Sequence, residues 1–193
     1  MGTTQTLSRS MSSTARESSA EHWDDANFRT LFVRHYSRIA GITARLLGDR
    51  SKAEEITNDA FWRLYRQPGL QTDGNIGGWL YRTATNLGID VLRASNRRRQ
   101  HEEAAGRCVE VAKSRGPLDD LMREEKCQRV RAVLAAIKPA QAQLLILRAS
   151  GLSYRELADT LDVKMSGIGT MLNRAEEEFR RHYLALHPNE EEL

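Results

Sequence analysis

The sequence has 193 residues, 40% of them hydrophobic, with 29 Lys and Arg against 26 Asp and Glu for a net charge of +3. That length suits one ordinary domain or two small helical ones, and so slight a charge excess means that a nucleic-acid partner has to be met by local clusters of cations. The two cysteines, Cys108 and Cys127, have no second pair and no histidine at metal-ligand spacing, which argues against structural zinc and for a reducing cytoplasm. No apolar run approaches the ~20 residues of a membrane span, so no membrane partner is expected.

Residues 1–25 open on a Ser/Thr-rich stretch and read as a disordered tail. Phe28, Leu31, Phe32, Ile39, Ile42 and Leu46 then recur at helical spacing up to Gly48, a natural stop. Ser51 and Glu54 have the spacing of a capping box, and Ile56, Ala60 and Leu64 carry a second helix to about Arg66. Residues 67–75, QPGLQTDGN, hold a proline, two glycines and an Asp-Gly pair and read as a loop.

A third helix is predicted over 78–98. At ~100° per residue it places Leu80, Ala84, Leu87 and Val91 in one arc, and Arg82, Asn86, Asp90, Arg93 and Arg97 opposite, with Trp79 close to the polar side. Residues 100–117 lack steady periodicity and end in Gly116-Pro117, the signature of a linker. Beyond it, helices are predicted from Asp119 to about Ile137, from Pro139 to Gly151, and over 154–161 and 166–182, with an acidic tail at 184–193. No strand-like alternation stands out. The expected fold is therefore all-α, two small helical domains (26–99 and 118–183) joined by a flexible linker.

The last two helices read as a helix-turn-helix. Ser153 and Glu156 have capping-box spacing, Leu157, Ala158 and Leu161 give an apolar face, and residues 162–164 make a short break. In the second helix Ile168, Leu172, Ala175 and Phe179 line one side, leaving Ser166, Thr170, Asn173, Arg174 and Arg181 on the other. Proteins of this kind insert the start of the second helix in the major groove, so Ser166, Thr170 and Asn173 are candidate base readers, and Arg174 and Arg181 candidate phosphate contacts. No nucleophile and base pair, phosphate loop or metal cluster can be assembled, so neither an enzyme nor a cofactor is expected.

Both halves together resemble the extracytoplasmic-function sigma factors of bacterial RNA polymerase, over about residues 26–183. GDRSKAEEITNDAFWRLYR (48–66) looks like the stretch that docks on the polymerase clamp, and GGWLYRTATNLGIDVLR (77–93) like the reader and melter of the minus-ten element. GLSYRELADTLDV (151–163) with NRAEEEFRR (173–181) is similar to the reader of the minus-thirty-five element. The resemblance implies contacts of Glu55, Asn58 and Asp59 with core polymerase. It also implies that Trp79, Arg82, Asn86, Arg93 and Arg97 hold the melted minus-ten strand, a task that calls for cations and aromatic surfaces. It implies core polymerase and promoter DNA as partners, and control by an anti-sigma protein.

Two departures from the family pattern fall in the last helix, where Gly169 and Met171 stand in place of the usual Lys and Arg. Fewer phosphate contacts mean weaker binding of free duplex, so the helix-turn-helix is expected to act when tethered to polymerase. The rival reading is a polymerase-independent helix-turn-helix regulator, distinguished by tight operator binding of the protein alone.

Overall fold

The computed structural model describes residues 23–67, 75–105 and 118–188. Among these residues there are seven helices and no strand: α1 (Asp25–Leu47), α2 (Arg50–Tyr65), α3 (Ile76–Ala104), α4 (Leu118–Ala136), α5 (Pro139–Ala149), α6 (Tyr154–Leu161) and α7 (Met165–Leu186). The all-α class expected from helical periodicity holds. Loop residues 68–74, linker residues 106–117, residues 1–22 of the expected N-terminal tail and residues 189–193 of the expected C-terminal tail lie outside the described residues.

Trp23 alters the expected N-terminal boundary. Although it falls in the stretch read as a tail, it is buried, its indole N–H donates to Leu64 O at 2.8 Å, and its ring meets Phe28 edge-on. The polar flanking residues hid it, but an indole both buried and hydrogen-bonded is a strong anchor.

α1 stops at Gly48, whose φ of 68° lets its N–H reach Ala44 O. The same glycine leaves room for the Arg131 guanidinium, which would collide with a Cβ there. α2 begins differently from the expectation. Its N-cap is Asp49, which accepts from the Lys52 N–H at 3.1 Å, while Glu54 bonds Arg50 Nε at 3.0 Å. The Ser51–Glu54 capping box does not form, because the aspartate already satisfies the orphan donors of the first turn.

α3 is the spine of the molecule. Asn75 Oδ1 accepts from the Gly78 N–H at 2.8 Å at its start, and the helix runs past the expected end at Arg98 to Ala104, into the segment read as linker. No proline or glycine interrupts it there, so nothing stops it sooner. Its buried set is also broader than the predicted arc: Leu80 and Ala84 are joined by Tyr81, Thr85, Gly88, Ile89 and Leu92, whereas Val91 is exposed. The reason is tertiary, since α3 packs on α1 and α2 on one side and on α4, α5 and α6 on another. Gly88 lets α1 come close, for a Cβ there would sit 2.7 Å from Leu46 Cδ2.

Buried residues from Trp23 to Tyr183 form one contiguous cluster that spans both halves. Polar ties supplement it. Arg131 Nε donates to Leu46 O at 3.1 Å, Arg93 Nη2 to Ile137 O at 2.6 Å, and Asn75 Nδ2 to Asp159 O at 2.6 Å. Arg38 lies 3.8 Å from Glu156 across the same boundary, and its guanidinium sits over the Tyr81 ring. No described helix is long and apolar enough to cross a membrane.

Candidate nucleic-acid interface

On α3 the five polar candidates separate into two groups. Arg97, with its neighbour Arg98, is exposed near the C-terminal end. Arg82 and Arg93 are half-buried, and Arg93 spends a guanidinium N–H on Ile137 O. Asn86 is exposed overall, yet its Oδ1 accepts from Gln143 Nε2 at 2.8 Å. Trp79 is half-buried against the core, which leaves one part of the indole accessible. The second half of the chain thus sits against the residues that the sequence assigns to single-stranded DNA.

Gln143 and Thr85 are polar residues at this boundary that sequence reasoning missed. Gln143 Nε2 also donates to Thr85 Oγ1 at 2.8 Å and to Arg82 O at 3.1 Å. The available signal was a carboxamide set among Ala142, Leu144, Ile146 and Leu147, all buried like itself. A buried amide without partners is costly, so such a residue must have an acceptor opposite.

α6 and α7 meet through residues 162–164. The capping box at Ser153 and Glu156 forms as expected, with both reciprocal bonds, and lowers the Glu156 pKa through hydrogen bonds from the Ser153 backbone and hydroxyl. Asp162 closes α6 with φ 57°, a left-handed conformation that aspartate tolerates better than most residues. Ile168, Leu172 and Ala175 are buried, whereas Ser166, Thr170, Asn173, Arg174 and Arg181 are exposed. Arg181 pairs with Glu178 at 2.6 Å, so its charge is partly answered within the helix. Met171 packs against the core, and Gly169 has Tyr154 as its sole neighbour, at 4.0 Å from a hypothetical Cβ. Among the described residues the polar face of α7 also carries the exposed cations Arg174 and Arg180, of which Arg174 is close to the base-reading candidates.

On α2, Glu55 and Asn58 are exposed, while Asp59 holds Arg63 at 3.0 Å. Asn58 borders a shallow apolar groove made by Phe28, Phe32, Phe61, Trp62 and Tyr65, with Trp62 58% exposed. That aromatic surface was not legible as one feature, because its members come from two helices. At the foot of α3, His35 lies edge-on to Tyr81; burial first, then Arg34 and Arg38, lower its pKa.

The family described as sigma-70 region 2 matches residues 31–98. The extracytoplasmic-function sigma factor SigE of Mycolicibacterium smegmatis is 28% identical over 180 residues, covering 92% of this chain and 67% of that one. The sigma-H factor of Pseudomonas aeruginosa is 26% identical over 163 residues, with 80% and 84% covered. A solved complex of the sigma factor RpoE with the anti-sigma factor NepR from Bartonella quintana is 20% identical, with a TM-score of 0.47 and 83% and 98% of the two chains covered. Residues 31–98 thus carry the sigma-70 region 2 match, and across most of its length this chain is similar to the extracytoplasmic-function sigma factors of bacterial RNA polymerase.

Proposed function

We infer that this sigma factor directs core RNA polymerase to specific promoters and assists their melting through three separate surfaces. Residues 26–99 dock on the core enzyme by Glu55, Asn58 and Asp59, and hold the opened minus-ten strand by Trp79, Arg82, Asn86, Arg93 and Arg97. Residues 118–183 read upstream duplex by Ser166, Thr170, Asn173, Arg174 and Arg181, and residues 100–117 link the two. A transcription initiation factor supplies recognition; bond formation belongs to the polymerase. The likeness to extracytoplasmic-function sigma factors further suggests an anti-sigma protein that holds the factor inactive.

The observation that carries the assignment is the segregation of surfaces. The exposed acid and amide of α2, the cationic C-terminal part of α3 and the polar face of α7 lie on separate helices. Polymerase, single strand and duplex can then be engaged together, each by side chains of suitable chemistry. Run-off transcription with purified core polymerase on genomic promoter fragments tests it. New promoter-specific transcripts that require this protein are expected. Their absence, together with tight operator binding by the protein alone, overturns the reading in favour of a polymerase-independent regulator.

A further inference from the structure

Three acceptors on α3 converge on one donor. Thr85 gives its own proton to Tyr81 O at 2.7 Å, so its oxygen has only lone pairs left for an incoming group. Arg82 O can only accept, and Asn86 turns its Oδ1 to the same point. Gln143 Nε2, arriving from α5, reaches Thr85 Oγ1 and Asn86 Oδ1 at 2.8 Å and Arg82 O at 3.1 Å. Gln143 is 6% exposed, so its NH2 is answered by α3 and not by water.

The group that fills this trio is a flat, neutral NH2, and a ligand that replaces it like for like brings another. The nucleobases adenine, cytosine and guanine each carry one, and thymine carries none. Arg82 and Asn86 belong to the set assigned above to the unpaired strand. We propose that Gln143 is an intramolecular stand-in for the amino group of an unstacked base, so that closure of α5 over α3 and capture of the strand compete for the same three acceptors. The proposal rests on the assignment of the minus-ten strand to α3.

Arg93 reinforces the competition, because the guanidinium bonded to Ile137 O is the kind of group a backbone phosphate would otherwise engage. Separation of α5 from α3 therefore frees an amino-group site and a cation in one step. The closed chain binds single strands poorly and the opened chain binds them well, which keeps recognition low until another contact pulls the halves apart.

The test uses the full chain and fluorescence anisotropy with single-stranded homopolymers of adenine, cytosine and thymine, each about 12 nucleotides long. Gln143→Leu and Gln143→Glu both remove the donor. Each is expected to tighten binding to the adenine and cytosine strands about tenfold, and to the thymine strand by a clearly smaller factor. No gain, or an equal gain on all three strands, overturns the stand-in. Hydrogen exchange on the unaltered protein gives an independent arm: saturation with the cytosine strand is expected to raise exchange in α5, and unchanged protection there overturns the proposal. Arg97→Ala separates the two levels. Unchanged strand binding in that variant overturns the placement of the strand on α3 and the proposal with it, whereas weakened binding beside an unaltered Gln143→Leu overturns the proposal alone.

Discussion

Replacing Gly169 by alanine is expected to stabilise the protein. A glycine inside a helix costs about 1 kcal/mol relative to alanine through the backbone freedom it loses on folding. Gly169 sits in the first turns of α7, and an added Cβ meets only Tyr154 Cε2, at 4.0 Å, an ordinary contact. No steric penalty offsets the gain, so Gly169→Ala should add about 1 kcal/mol and raise Tm by about 2–4 °C for a chain of this size. Gly167 is a second instance, with nothing within 4 Å of its Cβ position. The two sites flank opposite margins of the exposed face and do not touch, so the double variant should gain about 2 kcal/mol. Thermal unfolding followed by circular dichroism measures this, with a reversible scan as the control. A lowered Tm in either variant would refute the account of these sites as open and helical. Transcription from upstream-dependent promoters gives a second readout. A more stable protein with reduced promoter use would mean that the missing side chains let duplex DNA approach the helix, which would explain why glycine is kept despite its cost.

Other perturbations have equally definite outcomes. Leu80→Ala empties a fully buried position near the start of α3 and should cost about 2–5 kcal/mol in denaturant unfolding. Trp23→Ala should cost about 3–5 kcal/mol, whereas Trp23→Phe keeps the ring contact with Phe28, loses the bond to Leu64 O and should cost about 1 kcal/mol; equal stability of all three proteins would return Trp23 to the tail. The Glu156 pKa is depressed in the folded state, so its contribution is present above the usual carboxylate pKa of about 4.3 and is lost as pH falls through the lower folded value. Unfolding midpoints between neutral and acid pH should accordingly fall less steeply in Glu156→Gln than in the unaltered protein. Asn58→Ala should weaken binding to core polymerase about tenfold in a titration, and Arg174→Ala should reduce the salt slope of upstream duplex binding by about one.

Local chemistry was legible in the sequence, and so were the features it controls. Hydrophobic spacing located the helices, Gly48 marked the end of α1, and the Ser153–Glu156 capping box marked the start of α6, because periodicity and caps depend on residues within a few turns of each other. The exposed face of α7 followed from the same geometry. What only the tertiary structure decided involves residues far apart in the chain. Competition between acceptors and donors settled whether Ser51 or Asp49 caps α2. Contact on two sides widened the buried arc of α3 to include Tyr81, Ile89 and Leu92. The indole of Trp23 found Leu64 O across 41 positions, and Gln143 found Asn86 across 57. A hydrogen bond of that range leaves no period in the sequence, since either partner alone looks like an ordinary polar residue. Only the fold brings an amide of α5 to the acceptors of α3, and with it the question of which group those acceptors hold when the two halves separate.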